Sequence, residues 1–229
     1  MTAVAFDFDG TLSDSEMTVL LGRQNGTAED MAEITERAMN DEIEYAESLR
    51  QRCALLEDLP DEQARAAFDR VELRPGAADV IAALREAGVY VAILTGGFER
   101  GVAAALEREG VEVDAIIANR LPVADGKSEA QSASEDTSGQ RPRVLTGAVD
   151  GPLIEGTKDD ALAVLTAVIG AERSDTIAVG DGANDLPMLQ VAGLAVGFDP
   201  KPAVAPACDT IVETMDELHE VLQGEDVLD

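Results

Sequence analysis

Thr2 to Leu12 read TAVAFDFDGTL, an uninterrupted apolar run that turns acidic at Asp7 and then meets Asp9-Gly10-Thr11, a turn signature. A run this short, with little polar alternation, is the pattern of a strand buried on both faces, as in a parallel sheet covered by helices. Four further runs repeat the type at Val89–Leu94 (VYVAIL), Ala115–Ala118, Thr176–Val179 and Leu194–Val196. Between the first two, Pro75-Gly76 opens a helical stretch that runs through Ala87 and closes at Gly88. The alternation predicts an α/β fold with a parallel sheet and helices on both faces. The first, second and fourth strands end at Asp7, Thr95 and Asp181. Ligands of open α/β sheets bind beyond the carboxyl ends of the strands, so these three polar ends should share one crevice.

From Ser13 to Leu73 no strand pattern occurs. The segment is rich in Glu, Ala, Arg and Met, and Pro60 breaks it. Ile43, Ala46, Leu49, Cys53 and Leu56 recur at three- and four-residue steps, which predicts an amphipathic helix. The expected organisation is therefore a core of residues 1–12 and 74–229 with a small helical domain, residues 13–73, inserted into it. Asp125 to Arg143 (DGKSEAQSASEDTSGQRPR) is polar and without periodicity, and reads as a mobile surface loop.

The chain has 229 residues, 45% of them apolar, enough for one real core plus a small domain. Seventeen Lys and Arg stand against 46 Asp and Glu, a net charge of −29. That field repels phosphate backbones and anionic lipid, so neither nucleic acid nor a membrane is expected as a partner. Only three lysines occur, Lys127, Lys158 and Lys201. An acidic, lysine-poor surface suits a salt-rich cytoplasm, where the Debye length falls to about 3 Å at 1 M and self-repulsion is screened. Cys53 and Cys208 show neither metal-ligand spacing nor a disulfide framework. The chain opens on a strand rather than a leader, and no apolar run approaches the ~20 residues of a membrane span, so a soluble, cytoplasmic monomer or homodimer is expected.

Asp7 and Asp9 lie two residues apart at a strand end, and bringing like charges together calls for a cation. Oxygen ligands select a hard divalent ion such as Mg²⁺. A second acidic cluster, Gly180-Asp181-Gly182-Ala183-Asn184-Asp185, follows the fourth strand. Thr95-Gly96-Gly97 lies between the second strand and a helix beginning near Glu99, where a hydroxyl and backbone N–H groups make a phosphate seat. Lys158 sits at a helix start, where the helix dipole disfavours a cation, which points to a local anion.

In this order the pieces resemble the haloacid-dehalogenase (HAD) superfamily of phosphotransferases, and within it the phosphoserine phosphatases, over nearly the whole chain. The DxDx[TV] motif matches Asp7 to Thr11, Thr95 the Ser/Thr motif, Lys158 the lysine motif and Gly180 to Asp185 the GDGxND motif. Gly10 and Thr95 depart from the subfamily, which usually has Ser at both. The resemblance implies a HAD-like Rossmannoid sheet with a helical cap. It also implies Mg²⁺-dependent hydrolysis of a small phosphomonoester, O-phospho-L-serine, through an aspartyl-phosphate, as the last step of serine biosynthesis. It makes Asp7 the nucleophile and Asp9 the general acid. Asp7, the Asp9 backbone carbonyl and Asp181 hold the metal with support from Asp185, while Thr95, Gly96, Gly97, Lys158 and Asn184 lie against the phosphate. By the same resemblance Glu16 takes the substrate amine, Arg52 the carboxylate, and Met39 lines the pocket. Periodicity alone does not separate Arg52 from Arg50.

Three other readings compete: the same core acting on another small phosphomonoester, a salt-adapted binding protein that has lost activity, against which the complete acidic set argues, and a phospho-receiver signalling domain. The receiver also joins an Asp, a Thr and a Lys on a parallel sheet, but it is shorter and lacks both the helical insertion and a second Asp two residues after the first.

Overall fold

A computed structural model describes residues 2–39, 42–126 and 142–228. Six parallel strands form one sheet: β1 (Ala3–Phe6), β2 (Tyr90–Phe98), β3 (Ala115–Asn119), β6 (Thr176–Gly180), β7 (Leu194–Phe198) and β8 (Thr210–Val212), in the order β3-β2-β1-β6-β7-β8. β1 is central, all four of its residues buried, and its neighbours are the strand that carries Thr95 and the strand that ends next to Asp181. The chain reverses direction of winding at β1, which places the crevice between β2 and β6.

Alternation along the strands sorts the core into two layers. Val4, Phe6, Val91, Ile93, Val179 and Val196 pack on one face with helices α5 (Ala77–Glu86), α6 (Glu99–Glu109) and α9 (Met215–Gly224). Ala5, Ala92, Leu94, Ala178 and Ala195 form the other face, under α7 (Lys158–Ile169) and the short α8 (Leu186–Leu189). The small alanines let α7 settle close to the sheet, so that its first residue reaches the crevice.

Between β1 and α5 the chain forms four helices, α1 (Met17–Asn25), α2 (Ala28–Met39), α3 (Tyr45–Ala54) and α4 (Asp61–Phe68). The two passages joining this insertion to the sheet domain run side by side. Ser13 Oγ donates to the Glu72 carbonyl at 2.6 Å, and the Arg74 N–H to that of Leu12 at 2.8 Å.

Three short strands were not legible in the sequence. β8 extends the sheet beyond Leu194–Val196, and β4 (Val123–Asp125) pairs antiparallel with β5 (Arg143–Leu145). Three residues carry too little alternation to register against coil. Of the loop expected over Asp125–Arg143, the two end residues are instead paired across a ladder, and residues 127–141 lie outside the described residues. Cys53 is buried and Cys208 half-buried, and both are free thiols.

Candidate active site

β1 ends by presenting Asp7, whose N–H continues the ladder to the Val179 carbonyl at 2.8 Å. The chain then turns through Gly10 at φ +93°, a conformation that favours glycine. β2 delivers Thr95. A register shift against β3 between Thr95 and Phe98 lifts Gly96 and Gly97 out of the regular ladder, and Asn119 Nδ2 holds the Gly96 carbonyl at 3.0 Å. The Gly97 N–H donates to Thr95 Oγ1 at 2.9 Å. A Cβ on Gly97 would stand 2.7 Å from Asp9 Oδ2, so a glycine is what lets this loop and the acidic loop meet.

Asp181 follows β6, and a 3-10 turn over Ala183–Asp185 folds Asp185 back, where its Oδ2 accepts the N–H groups of Asp181 (3.0 Å) and Gly182 (2.9 Å). Lys158, the first residue of α7, is buried and donates from Nζ to Asp7 Oδ1 and to Asp185 Oδ1, each at 2.5 Å. A cation there opposes the helix dipole, and the two carboxylates are the anion that the sequence called for. Asn184 Nδ2 lies 3.5 Å from Asp185 Oδ1.

Burial, then Asp185, push the Asp7 carboxyl up to about 7 against the opposing pull of Lys158. Burial, then Glu16 and Asp7, raise Asp9 well above the ordinary carboxylate range. Burial raises Asp181 as well, with Lys201 working against it. Burial opposes the charge on Lys158, but Asp185 and Asp7 more than offset it and hold the ammonium protonated.

One oxygen from each of Asp7, Asp181 and Asp185 lies within 4.8 Å of the others. The donor set is all oxygen. It carries more negative charge than Lys158 and Lys201 balance, and Asp9 Oδ1 nearby is buried without a hydrogen-bond partner. These residues fit a hard divalent cation. Between pH 3.8, the ordinary value, and about 7, the metal-free fold keeps a proton on Asp7 that the unfolded chain has lost. The contribution of Asp7 to metal-free stability therefore falls as pH rises through that window. A cation must displace the same proton, so binding should release about one proton at pH 5.5 and almost none at pH 8. Calorimetry in buffers of different ionisation enthalpy measures this; equal release at both pH values contradicts it.

Above these groups lies a cavity of about 430 Å³. Asp7, Asp9, Thr95, Gly96, Gly97, Asp181 and Asn184 form its sheet-side wall, and Glu16 and Arg52 its wall on the insertion side. Glu16 is the cap residue of α1, yet its side chain makes no capping bond. Arg52 is buried in α3, its Nη1 and Nε 3.3 Å from Thr18 Oγ1 and the Ser48 carbonyl. Arg50 points elsewhere, exposed and paired with Glu155. Lys158 and Asp185 stand behind Asp7 rather than in the wall. The assignment made for the Met39 side chain lies outside the described residues.

Of the wall residues that escaped the sequence, two bear on the chemistry. Lys201 Nζ is 3.1 Å from Asp181 Oδ2, and the signal was available, since a lysine in so lysine-poor a chain called for an anion here as at Lys158. Tyr45, the first residue of α3, sets its hydroxyl against Gly96, where no Cβ would fit, and burial pushes it up to about 12. Nothing in its spacing separated it from core.

The model of the haloacid dehalogenase-like hydrolases matches residues 4–190, from β1 through α8. The chain belongs to the haloacid dehalogenase-like hydrolases. Within that family it is 50% identical over 222 residues to the phosphoserine phosphatase of Halobacterium salinarum, covering 97% of each chain. It is 36% identical over 221 residues to that of Methanocaldococcus jannaschii, covering 96% of this chain and 95% of the other. Among solved hydrolases of the family, a phospho-aspartyl intermediate analogue of phosphoserine phosphatase superposes with a TM-score of 0.81 at 35% identity. A substrate-bound phosphoserine phosphatase complex does so at 0.82 and 34%, and both comparisons cover 97% of each chain. No helix among the described residues is long and apolar enough to cross a membrane.

Proposed function

We propose that the chain hydrolyses O-phospho-L-serine to L-serine and phosphate, as the step that releases serine from its phosphorylated precursor. The observation that carries this reading is the two-ended cavity: acid and phosphate-seat groups on the sheet side, and on the helical side the Arg52 guanidinium with the carboxylates of Glu16 and Glu44. A phosphoserine zwitterion has matching ends. A relative named phosphoserine phosphatase at 50% identity supports the same substrate.

In this reading residues 13–73 form the cap. Lys158 pins Asp7 Oδ1 and leaves Oδ2 to attack phosphorus. The new P–O bond to Asp7 forms as the bond to the serine oxygen breaks, and Asp9, which burial keeps protonated, gives that oxygen its proton. Asp9 then takes a proton from water, whose oxygen attacks phosphorus and frees Asp7 together with inorganic phosphate. Thr95 Oγ1 and the backbone at Gly96 and Gly97 face the phosphate oxygens, where charge spreads in the transition state. Asp7, Asp181, Asp185 and the Asp9 carbonyl would hold Mg²⁺, which when bound neutralises charge between nucleophile and phosphate. Lys201 closes the wall beside Asp181. One chain supplies every one of these groups, so a monomer suffices.

Arg52→Ala tests the cap end. It should lower kcat/KM for O-phospho-L-serine by about 10- to 100-fold, the worth of hydrogen bonds to a charged group. Turnover of O-phosphoethanolamine, which lacks the carboxylate, should hardly change. Equal losses on both esters overturn the assignment, and faster wild-type turnover of sugar or nucleotide phosphates than of phosphoserine overturns the substrate.

A charge of −29 with three lysines supports a salt-rich cytoplasm as the working environment. Circular dichroism should show loss of helical signal on dialysis from molar to millimolar salt; an unchanged spectrum contradicts this.

A further inference from the structure

Gly10 is the loosest link between Asp9 and the rest of its loop, because a residue without a Cβ has the widest backbone freedom. A Cβ here would stand 2.7 Å from the Asp181 carboxylate, so the position leaves no room for bulk. Yet both peptide groups of Gly10 are anchored. Its N–H donates to the Ser13 carbonyl at 2.7 Å, and its carbonyl accepts from Arg74 Nη2 at 3.1 Å. Arg74 is itself fixed. Its N–H is held by the Leu12 carbonyl at 2.8 Å, its carbonyl accepts from the Ala77 N–H at 3.0 Å, and its guanidinium stacks 5.2 Å from the centroid of the Phe198 ring. Arg74 Nε is buried without a partner, an unfavourable term that the Gly10 bond and the ring contact must offset.

We infer that Arg74 is a positioning residue for the hydrolytic reaction, an inference that rests on the roles given above to Asp7 and Asp9. It acts through the Gly10 peptide rather than on the substrate. By gripping that carbonyl it removes the freedom that a glycine would otherwise leave between Asp9 and Thr11, and so fixes Asp9 against Asp7 and Asp181. Arg74 also lies where the chain returns from the helical insertion, beside the Ser13–Glu72 bond that joins the two passages. Alignment of the acid is thereby tied to the seating of the insertion.

The test compares wild type, Arg74→Met and Arg74→Lys in turnover of O-phospho-L-serine at saturating metal, together with thermal midpoints. Arg74→Met should lower kcat by about 10- to 100-fold, the usual loss for misplacing reacting groups by about 1 Å, while KM changes less than about threefold. Arg74→Lys restores a donor for the Gly10 carbonyl without the planar stacking, and should regain most of that loss at a similar midpoint. Wild-type kcat in Arg74→Met overturns the inference, as do losses that follow the thermal midpoint with no advantage for lysine. Should Arg74→Met not fold, Phe198→Leu removes the ring beneath the guanidinium. An intermediate fall in kcat at unchanged KM is then expected, and an unchanged kcat overturns the inference. Wild-type turnover separates the two claims: no hydrolysis of phosphoserine refutes the proposed function, whereas hydrolysis indifferent to Arg74 refutes only its positioning role.

Discussion

Asp7→Asn leaves a folded protein whose turnover of O-phospho-L-serine falls by about 10⁴-fold or more, the scale seen when a nucleophile that acts within a catalytic unit is removed. The amide nitrogen keeps the shape of the side chain and loses the attacking oxygen. It also changes the local charge. Asp7 is buried at the end of the central strand, bonded to Lys158 at 2.5 Å, and one of three carboxylates whose oxygens lie within 4.8 Å of one another. Removing one negative charge relieves Asp181 and Asp185, so the metal-free variant should be no less stable than wild type and should bind a divalent cation more weakly. Steady-state assays and thermal unfolding with and without Mg²⁺ read the two effects separately. Turnover within tenfold of wild type is incompatible with Asp7 as nucleophile.

Lys158→Met should have the second largest effect, and of the opposite sign on stability. The ammonium is buried and shared between Asp7 and Asp185. Removing one partner from a buried ionic group costs about 3–5 kcal/mol, because the remaining charges are left uncompensated in a medium that solvates them poorly. For a domain of this size that is a fall of roughly 6–20 °C in the unfolding midpoint. The Asp7 carboxyl, which burial already pushes up to about 7, gains a proton as pH falls and softens the loss, so it should be smaller at pH 5 than at pH 8, and a divalent cation should recover part of it. Activity should fall about 10²- to 10³-fold, since the residue that aligns the nucleophile is gone. A variant as stable as wild type at pH 8 contradicts the buried ion cluster.

The parts of this site that the sequence disclosed are those set by strand geometry. TAVAFDFDG announces a buried strand that ends in carboxylates, and TIAVGDGAND does so a second time. Two such ends on neighbouring parallel strands must converge. Lys158 announced itself by electrostatic misfit at a helix start, but which carboxylates would meet it depends on how closely α7 packs on Ala5, Ala92 and Ala178, a tertiary fact. Arg52 and Arg50 are two residues apart on one helix, and only the packing of α3 over the cavity turns one inward and sends the other to Glu155. Arg74 was invisible for the same reason: its partners, Gly10 in the turn after β1 and Phe198 at the end of β7, are 64 and 124 positions away. The strands β4, β5 and β8 are three residues each, below the length at which alternation can be read.

Acid quench of a single turnover, with the protein in excess over O-phospho-L-serine and Mg²⁺ present, bears most directly on covalent transfer to Asp7. Peptide mass analysis of the quenched protein should find one phosphoryl group on the peptide that carries Asp7, rising and then decaying as free phosphate appears, and forming more slowly in Asp9→Asn, which can neither give the leaving oxygen its proton nor take one from the attacking water. Phosphate released by the wild type at full rate with no phosphorylated peptide at any time would mean that water attacks the ester directly.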